Sequence, residues 1–128
     1  MANIVVVDDD PGLRGAIRKI LERGGHTIRE AEDGDAGVRL VERDAPDLVV
    51  TDLLMPKKEG IETIMELRER FPQVRILAIS GAGTLDGEGG PLVDAELFGA
   101  HGTLPKPFSV ETLLSVVDQV LSGPDPES

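Results

Sequence analysis

Four places in this sequence carry groups able to act together on a metal ion or a phosphoryl group. Asp8-Asp9-Asp10 follow directly on one aliphatic run, Asp52 ends a second, Ser80 ends a third, and Lys106 stands just past a fourth. Three carboxylates within a few ångströms of one another repel, and left unpaired they have raised pKa values. A hard divalent cation with oxygen ligands resolves that conflict. Mg²⁺ suits one or two carboxylates completed by waters and phosphate oxygens. Phosphoryl transfer needs charge neutralised on the equatorial oxygens and an in-line nucleophile, and a carboxylate nucleophile yields an acyl phosphate. Nucleophile, metal ligands, hydroxyl donor and ammonium are all present.

These groups act together only if the fold brings the ends of the aliphatic runs to one place. Ile4-Val5-Val6-Val7 is β-branched and continuous, as expected of a strand buried on both faces. Asp10 before Pro11 reads as an N-cap followed by proline at the first helical position. Leu13, Ile17, Ile20 and Leu21 then repeat at helical spacing until Gly24-Gly25 stops the helix. His26 to Ala31 reads as a second strand. A helix carrying Ala36, Val38, Leu40 and Val41 follows and ends before Pro46. Leu48-Val49-Val50-Thr51 is a third buried strand with Asp52 at its end. Ile61, Ile64 and Leu67 mark a helix that stops at Phe71-Pro72, and Val74 to Ile79 is a fourth strand.

Between Gly81 and Pro91 five glycines (81, 83, 87, 89 and 90) alternate with acids, which predicts a long mobile loop. A short helix near Leu92 to Leu97 and a short strand near Gly102 to Leu104 come next. Ser109 caps a last helix whose core face is Leu113, Leu114, Val117, Val120 and Leu121; residues 123–128 read as a frayed tail behind a single domain of residues 1–122. Five βα units in succession imply a doubly wound α/β fold, a five-stranded parallel sheet with helices on both faces. Such sheets bind ligands at the carboxyl ends of their strands, where all the groups named above fall.

Composition narrows the function classes. A net charge of −11, with 24 acids against 13 bases, excludes a nucleic-acid interface built on phosphate contacts. Three Phe, no Tyr and no Trp leave little for stacking on bases. The absence of cysteine removes disulfides, thiolate nucleophiles and Cys-type zinc sites. The apolar runs are strand-sized, so no segment spans a membrane, and the expected location is cytoplasmic.

The segments Val5-Val6-Val7-Asp8-Asp9-Asp10, Thr51-Asp52-Leu53-Leu54-Met55-Pro56, Ala78-Ile79-Ser80-Gly81 and Leu104-Pro105-Lys106-Pro107-Phe108 resemble, in order and spacing, the signature of two-component response-regulator receiver domains. The resemblance runs from about Asn3 to Leu121. It implies the flavodoxin-like strand order 2-1-3-4-5. It also implies Asp52 as phosphoacceptor, Asp9 as direct Mg²⁺ ligand, Asp8 as a ligand through water, and the backbone carbonyl of Leu54 completing the protein's share. Ser80 would hydrogen-bond a phosphoryl oxygen, and Lys106 would pair with Asp52 or its phosphoryl group, aimed by a cis Lys106-Pro107 bond. The implied partners are a histidine kinase or phosphotransfer protein and a downstream protein target; a homodimer is compatible with the sequence. No output domain follows the last helix pattern, so the expectation is a stand-alone receiver. Leu54 and Ala82 stand where the family controls the hydrolytic water, and neither side chain can position water. Thr103 stands where many receivers have Tyr or Phe. The signal is therefore expected to be read out as ordering between Gly81 and Leu97.

Two rival readings exist. Asp8-x-Asp10, Ser80 and Lys106 also follow the motif order of haloacid-dehalogenase-type phosphatases, with Asp8 as nucleophile and Asp10 as general acid. That family needs a further acidic pair after the lysine, for which only Glu111 and Asp118 are available, and it leaves Asp52 unexplained. A phosphorylation-independent docking module of the same fold would be marked by loss of a site residue, and none is lost. Asp10 is more simply a helix N-cap than a metal ligand. Gly81-Ala82-Gly83 lacks the third glycine of a dinucleotide loop, and His26 and His101 have no partner at metal-ligand spacing.

Overall fold

A computed structural model of the chain describes residues 2–53, 60–80 and 99–124. The expected loop from Gly81, the helix near Leu92 and the Leu54 carbonyl lie outside the described residues. Five strands, β1 (Asn3–Val7), β2 (Thr27–Ala31), β3 (Leu48–Asp52), β4 (Arg75–Ser80) and β5 (Gly102–Pro105), form one sheet in the order β2-β1-β3-β4-β5. Every neighbouring pair is parallel. Four helices are described: α1 (Pro11–Arg23), α2 (Gly34–Arg43), α3 (Gly60–Arg70) and α4 (Val110–Leu121).

Side chains alternate across a strand, and here both sides of the alternation are apolar. Val5, Val7, Val49, Ile76 and Ala78 pack with Val38 and Val41 of α2 and Ile64 and Leu67 of α3. Their neighbours Ile4, Val6, Leu48, Val50, Leu77 and Ile79 pack with Ile17 and Leu21 of α1 and Leu113 and Val117 of α4. The core is thus two aliphatic layers separated by the sheet, as the unbroken β-branched runs require. Glycines let the layers close: a Cβ on Gly37 would meet Val7 Cγ2 at 2.7 Å, and one on Gly102 would meet Val120 Cγ2 at 2.6 Å.

The helix starts follow the expected capping chemistry. The Asp10 carboxylate accepts from the amides of Gly12 and Leu13 at 2.9 and 3.4 Å, and Ser109 Oγ accepts from Thr112 N at 3.1 Å. Asp33, which the sequence pattern does not single out, caps α2 by accepting from Ala36 N at 2.8 Å. Strand boundaries shift by a residue for identifiable reasons. His26 precedes β2 because its amide closes the end of α1 on Leu21 O at 3.2 Å and its Nδ1 accepts from Ala2 N at 3.1 Å. Val74 precedes β4 because its amide turns back to Phe71 O at 3.0 Å. Among the described residues no helix is long and apolar enough to cross a membrane.

Candidate functional site

The sheet register sets the site. Val7 is level with Thr51, Asp52 with Ile79, and Ser80 with Pro105, so Asp8, Asp52, Ser80 and Lys106 all emerge at one carboxyl edge. Each is held by backbone bonds that extend the sheet. Asp8 N donates to Ala31 O at 3.1 Å, Leu53 N to Ile79 O at 3.0 Å, and Lys106 N to Ser80 O at 2.7 Å. The Lys106-Pro107 peptide is cis, as the resemblance implies.

Asp8, Asp9 and Asp52 each offer a carboxylate oxygen, and those oxygens lie within 4.8 Å of one another. Asp8 and Asp52 are buried, at 2% and 6% exposure, while Asp9 is open to solvent. Burial pushes the Asp8 carboxyl above its ordinary range. The amide of Asp10, donating to Asp8 Oδ1 at 2.9 Å, works against that shift; the negative charges of Asp52 and Asp9 add to it, and Lys106 opposes it. Lys106 Nζ lies 3.2 Å from Asp52 Oδ2. Ser80, fully buried, stands one residue beyond the partner of Asp52 in the ladder.

This donor set fits a hard divalent cation: three carboxylates, with no nitrogen or sulfur ligand, close enough to surround one ion directly or through water. Among the described residues Lys106 is the cation paired with the cluster, and the Asp8 carboxyl is raised chiefly by burial, with the charges of Asp52 and Asp9 adding to it. Asp10 stays out of the cluster and serves as the N-cap of α1. Glu111 and Asp118 do not join it either; Asp118 lines a groove with Ala2, His26 and Asp47 at the opposite edge of the sheet, so the acidic pair that a haloacid-dehalogenase-type site needs is not assembled.

Sequence reading missed Gly60. Its amide donates to Leu53 O at 3.1 Å, and a Cβ there would run into the carbonyl of Asp52 and the Cα of Leu53. The start of α3 therefore presses directly on the turn that carries Asp52. A glycine at a helix start, eight residues past the acid, was the available signal, but nothing in the sequence says that two backbones touch there.

Residues 4–118 match the family described as the response regulator receiver domain. The chain belongs to that family. Over 125 residues it is 34% identical to the DNA-binding transcriptional regulator NtrC of Azospirillum brasilense, covering 98% of this chain and 25% of that protein. With the response regulator MprA of Mycolicibacterium vanbaalenii the identity is 35% over 124 residues, covering 97% of this chain and 52% of that one. The chain thus spans from a quarter to about half the length of these relatives. The receiver domain of NtrX from Brucella abortus superposes with a TM-score of 0.87 at 29% identity, over 94% of this chain and 99% of that one. A receiver domain protein from Clostridium thermocellum gives 0.85 at 27% identity, over 94% of each chain. Accepting a phosphoryl group is general in this family of signalling domains, as is Mg²⁺ at an acidic pocket, and this chain has an acidic cluster in Asp8, Asp9 and Asp52.

Proposed function

We propose that this domain accepts a phosphoryl group on Asp52 from a phosphohistidine donor, a histidine kinase or phosphotransfer protein, and then changes conformation to regulate a downstream protein. The observation that carries this reading is the 3.2 Å pair between Lys106 Nζ and Asp52 Oδ2 inside the carboxylate cluster. Asp8, Asp9 and Asp52, with the backbone carbonyl of Leu54, would hold Mg²⁺, which when bound neutralises charge on the phosphoryl oxygens. An Asp52 oxygen bonds to phosphorus as the P–N bond to the donor imidazole breaks; the leaving nitrogen keeps the electron pair and takes a proton from solvent. Lys106 pairs with the phosphoryl group as it arrives, and the Ser80 hydroxyl donates to one of its oxygens. Water attack on phosphorus later breaks the bond to Asp52, releasing inorganic phosphate and restoring the carboxylate. In this reading Asp52, Lys106 and Ser80 act on the phosphoryl group that this chain itself carries, so the domain promotes its own phosphorylation and dephosphorylation.

In this reading residues 1–122 are the receiver unit, residues 123–128 a tail, and the cytoplasm its place of work beside the kinase. No direct contact with nucleic acid or membrane is assigned, and a homodimer is compatible with the reading. The test is labelling with acetyl phosphate and Mg²⁺. Wild type should gain one hydroxylamine-labile phosphoryl group, Asp52→Asn none, and Asp10→Asn most of the wild-type amount. Retention of label in Asp52→Asn with loss in Asp8→Asn would move the nucleophile to Asp8; absence of label in wild type would favour a phosphorylation-independent docking module.

A further inference from the structure

We infer that Arg14 is a positioning residue for the metal site, an inference that rests on the function proposed above. Arg14 lies on the first turn of α1, and its own amide donates to Asp10 O at 2.9 Å. Its guanidinium turns back over the β1–α1 turn. There Nη1 donates to Asp8 O at 2.8 Å, while Nε donates to Glu30 Oε1 of β2 at 2.9 Å. Glu30 is itself fixed from the other side, because Arg18 Nη1 donates to Glu30 Oε2 at 2.8 Å. Both backbone groups of Asp8 are thereby committed, the amide to Ala31 O and the carbonyl to Arg14.

That carbonyl belongs to the peptide joining Asp8 to Asp9, so its direction constrains the backbone from which the Asp9 carboxylate projects. Asp9 is exposed, and no described hydrogen bond holds its side chain. The bond from Arg14 fixes the peptide before Asp9, as the Asp10 amide on Asp8 Oδ1 fixes the one after it. Arg14 is one-fifth exposed, with its side chain at 18% and that of Glu30 at 26%, so the pair is partly shielded from water. The fork of the guanidinium matters as well as its charge: one planar group spans a carbonyl in the β1–α1 turn and a carboxylate on β2, which a lysine ammonium on a flexible stem does not reproduce. Groups that orient metal ligands commonly affect affinity strongly when lost.

The experiment measures Mn²⁺ affinity, by electron paramagnetic resonance of the free ion, and Mg²⁺ affinity by competition. Wild type, Arg14→Lys and Arg18→Gln are compared well below their melting temperatures. Arg14→Lys keeps the charge and loses the fork, and should weaken binding about tenfold. Arg18→Gln loses an ion pair to the same Glu30 but no contact with Asp8, and should bind within about twofold of wild type while melting lower or equally. Glu30→Gln, which loosens Arg14 without removing it, should fall between them, and it serves as the second probe if Arg14→Lys fails to fold. Equal affinity in Arg14→Lys and wild type overturns the inference. So does equal weakening in Arg18→Gln, which would reduce Arg14 to a general brace between α1 and β2. Absence of metal binding in wild type overturns instead the proposed function on which the inference stands.

Discussion

Replacing Asp8 by Asn should make the metal-free protein more stable. Asp8 is buried, and the oxygens of Asp9 and Asp52 lie within 4.8 Å of its own. Two unit charges at that separation repel by roughly 3.5 kcal/mol at an effective dielectric constant of ~20, and by about 1 kcal/mol in bulk water. The Asp52 repulsion belongs near the first figure because both groups are buried; the Asp9 repulsion belongs near the second because that side chain is in water. Lys106 offsets part of both, leaving a net gain on the order of 1–2 kcal/mol for the variant, or about 4–7 °C in Tm. Asn keeps an oxygen for the Asp10 amide, so the turn retains its 2.9 Å hydrogen bond. The sign of the pH dependence follows from the raised Asp8 carboxyl. Its contribution to stability is complete below the ordinary carboxylate pKa and is lost as pH rises through the folded value. Metal-free wild type should therefore gain on Asp8→Asn as the pH falls from neutral. Mg²⁺ should reverse the order at neutral pH, since a ligand at ~100 times its Kd stabilises by about 2.7 kcal/mol and the variant has lost a ligand. Thermal melts in EDTA and in Mg²⁺ decide it. A variant that melts below wild type in EDTA, or an equal Mg²⁺ shift in both proteins, refutes the reasoning.

Two further outcomes follow from contacts near the sheet ends. Gly60→Ala should cost about 1–3 kcal/mol, because the new methyl meets backbone at Asp52 and Leu53 and cannot be relieved by a side-chain rotation; an increase in Tm, as helix propensity alone would give, contradicts the close approach. His101 Nδ1 accepts from Ile76 N at 3.0 Å, and burial, with Arg68 and Arg75 adding their charges, lowers its pKa. Its stabilising contribution is present above the ordinary histidine pKa of about 6.5 and is lost as pH falls towards the folded value. The advantage of wild type over His101→Gln, measured by urea denaturation in an Asp8→Asn background, should shrink across that window; a constant difference would show that the ring does not titrate as its surroundings require.

The elements and the main site were legible in the sequence because each depends on local pattern. Continuous β-branched runs such as Ile4–Val7 and Leu48–Val50 announce strands covered on both faces, and both proved fully buried. The Asp10-Pro11 and Ser109 caps depend on neighbours one to three residues away. Asp8, Asp9, Asp52 and Lys106 could be foreseen together because parallel strands put all their carboxyl ends on one edge. What escaped depends on distance along the chain. Arg14 meets Glu30 across 16 residues, and Gly60 meets the backbone of Asp52 only because α3 returns to the strand it followed. His101 reaches Ile76 across 25 residues, so a histidine without a metal partner turns out to be part of the sheet's edge.

The rigidity of the edge explains why charge governs this site. If the Asp8–Asp9 segment could move, repulsion would be relieved by a small displacement into solvent, and neither Lys106 nor a cation would gain much from the cluster. Asp8 instead has its amide on Ala31, its carbonyl on Arg14 and a carboxylate oxygen on Asp10 N, while Leu53, next to Asp52, is tied to Ile79. The backbone that carries Asp8 and Asp52 is therefore held in place, and positive charge lowers the energy of that buried pair. Among the described residues Lys106 is the ammonium at the cluster, and a divalent cation would offset more of its negative charge. A phosphoryl group on Asp52, carrying ~1.5–2 negative charges in place of one, would add about half to one negative charge there. Lys106, 3.2 Å from Asp52, is the nearest described positive group to feel that change. Lys106 is joined through Ser80 O to β4 and leads into α4. A change at Asp52 thus has a hydrogen-bonded route through Lys106 to the β4–β5 side of the domain, while the acidic turn after β1 is held by its own backbone bonds.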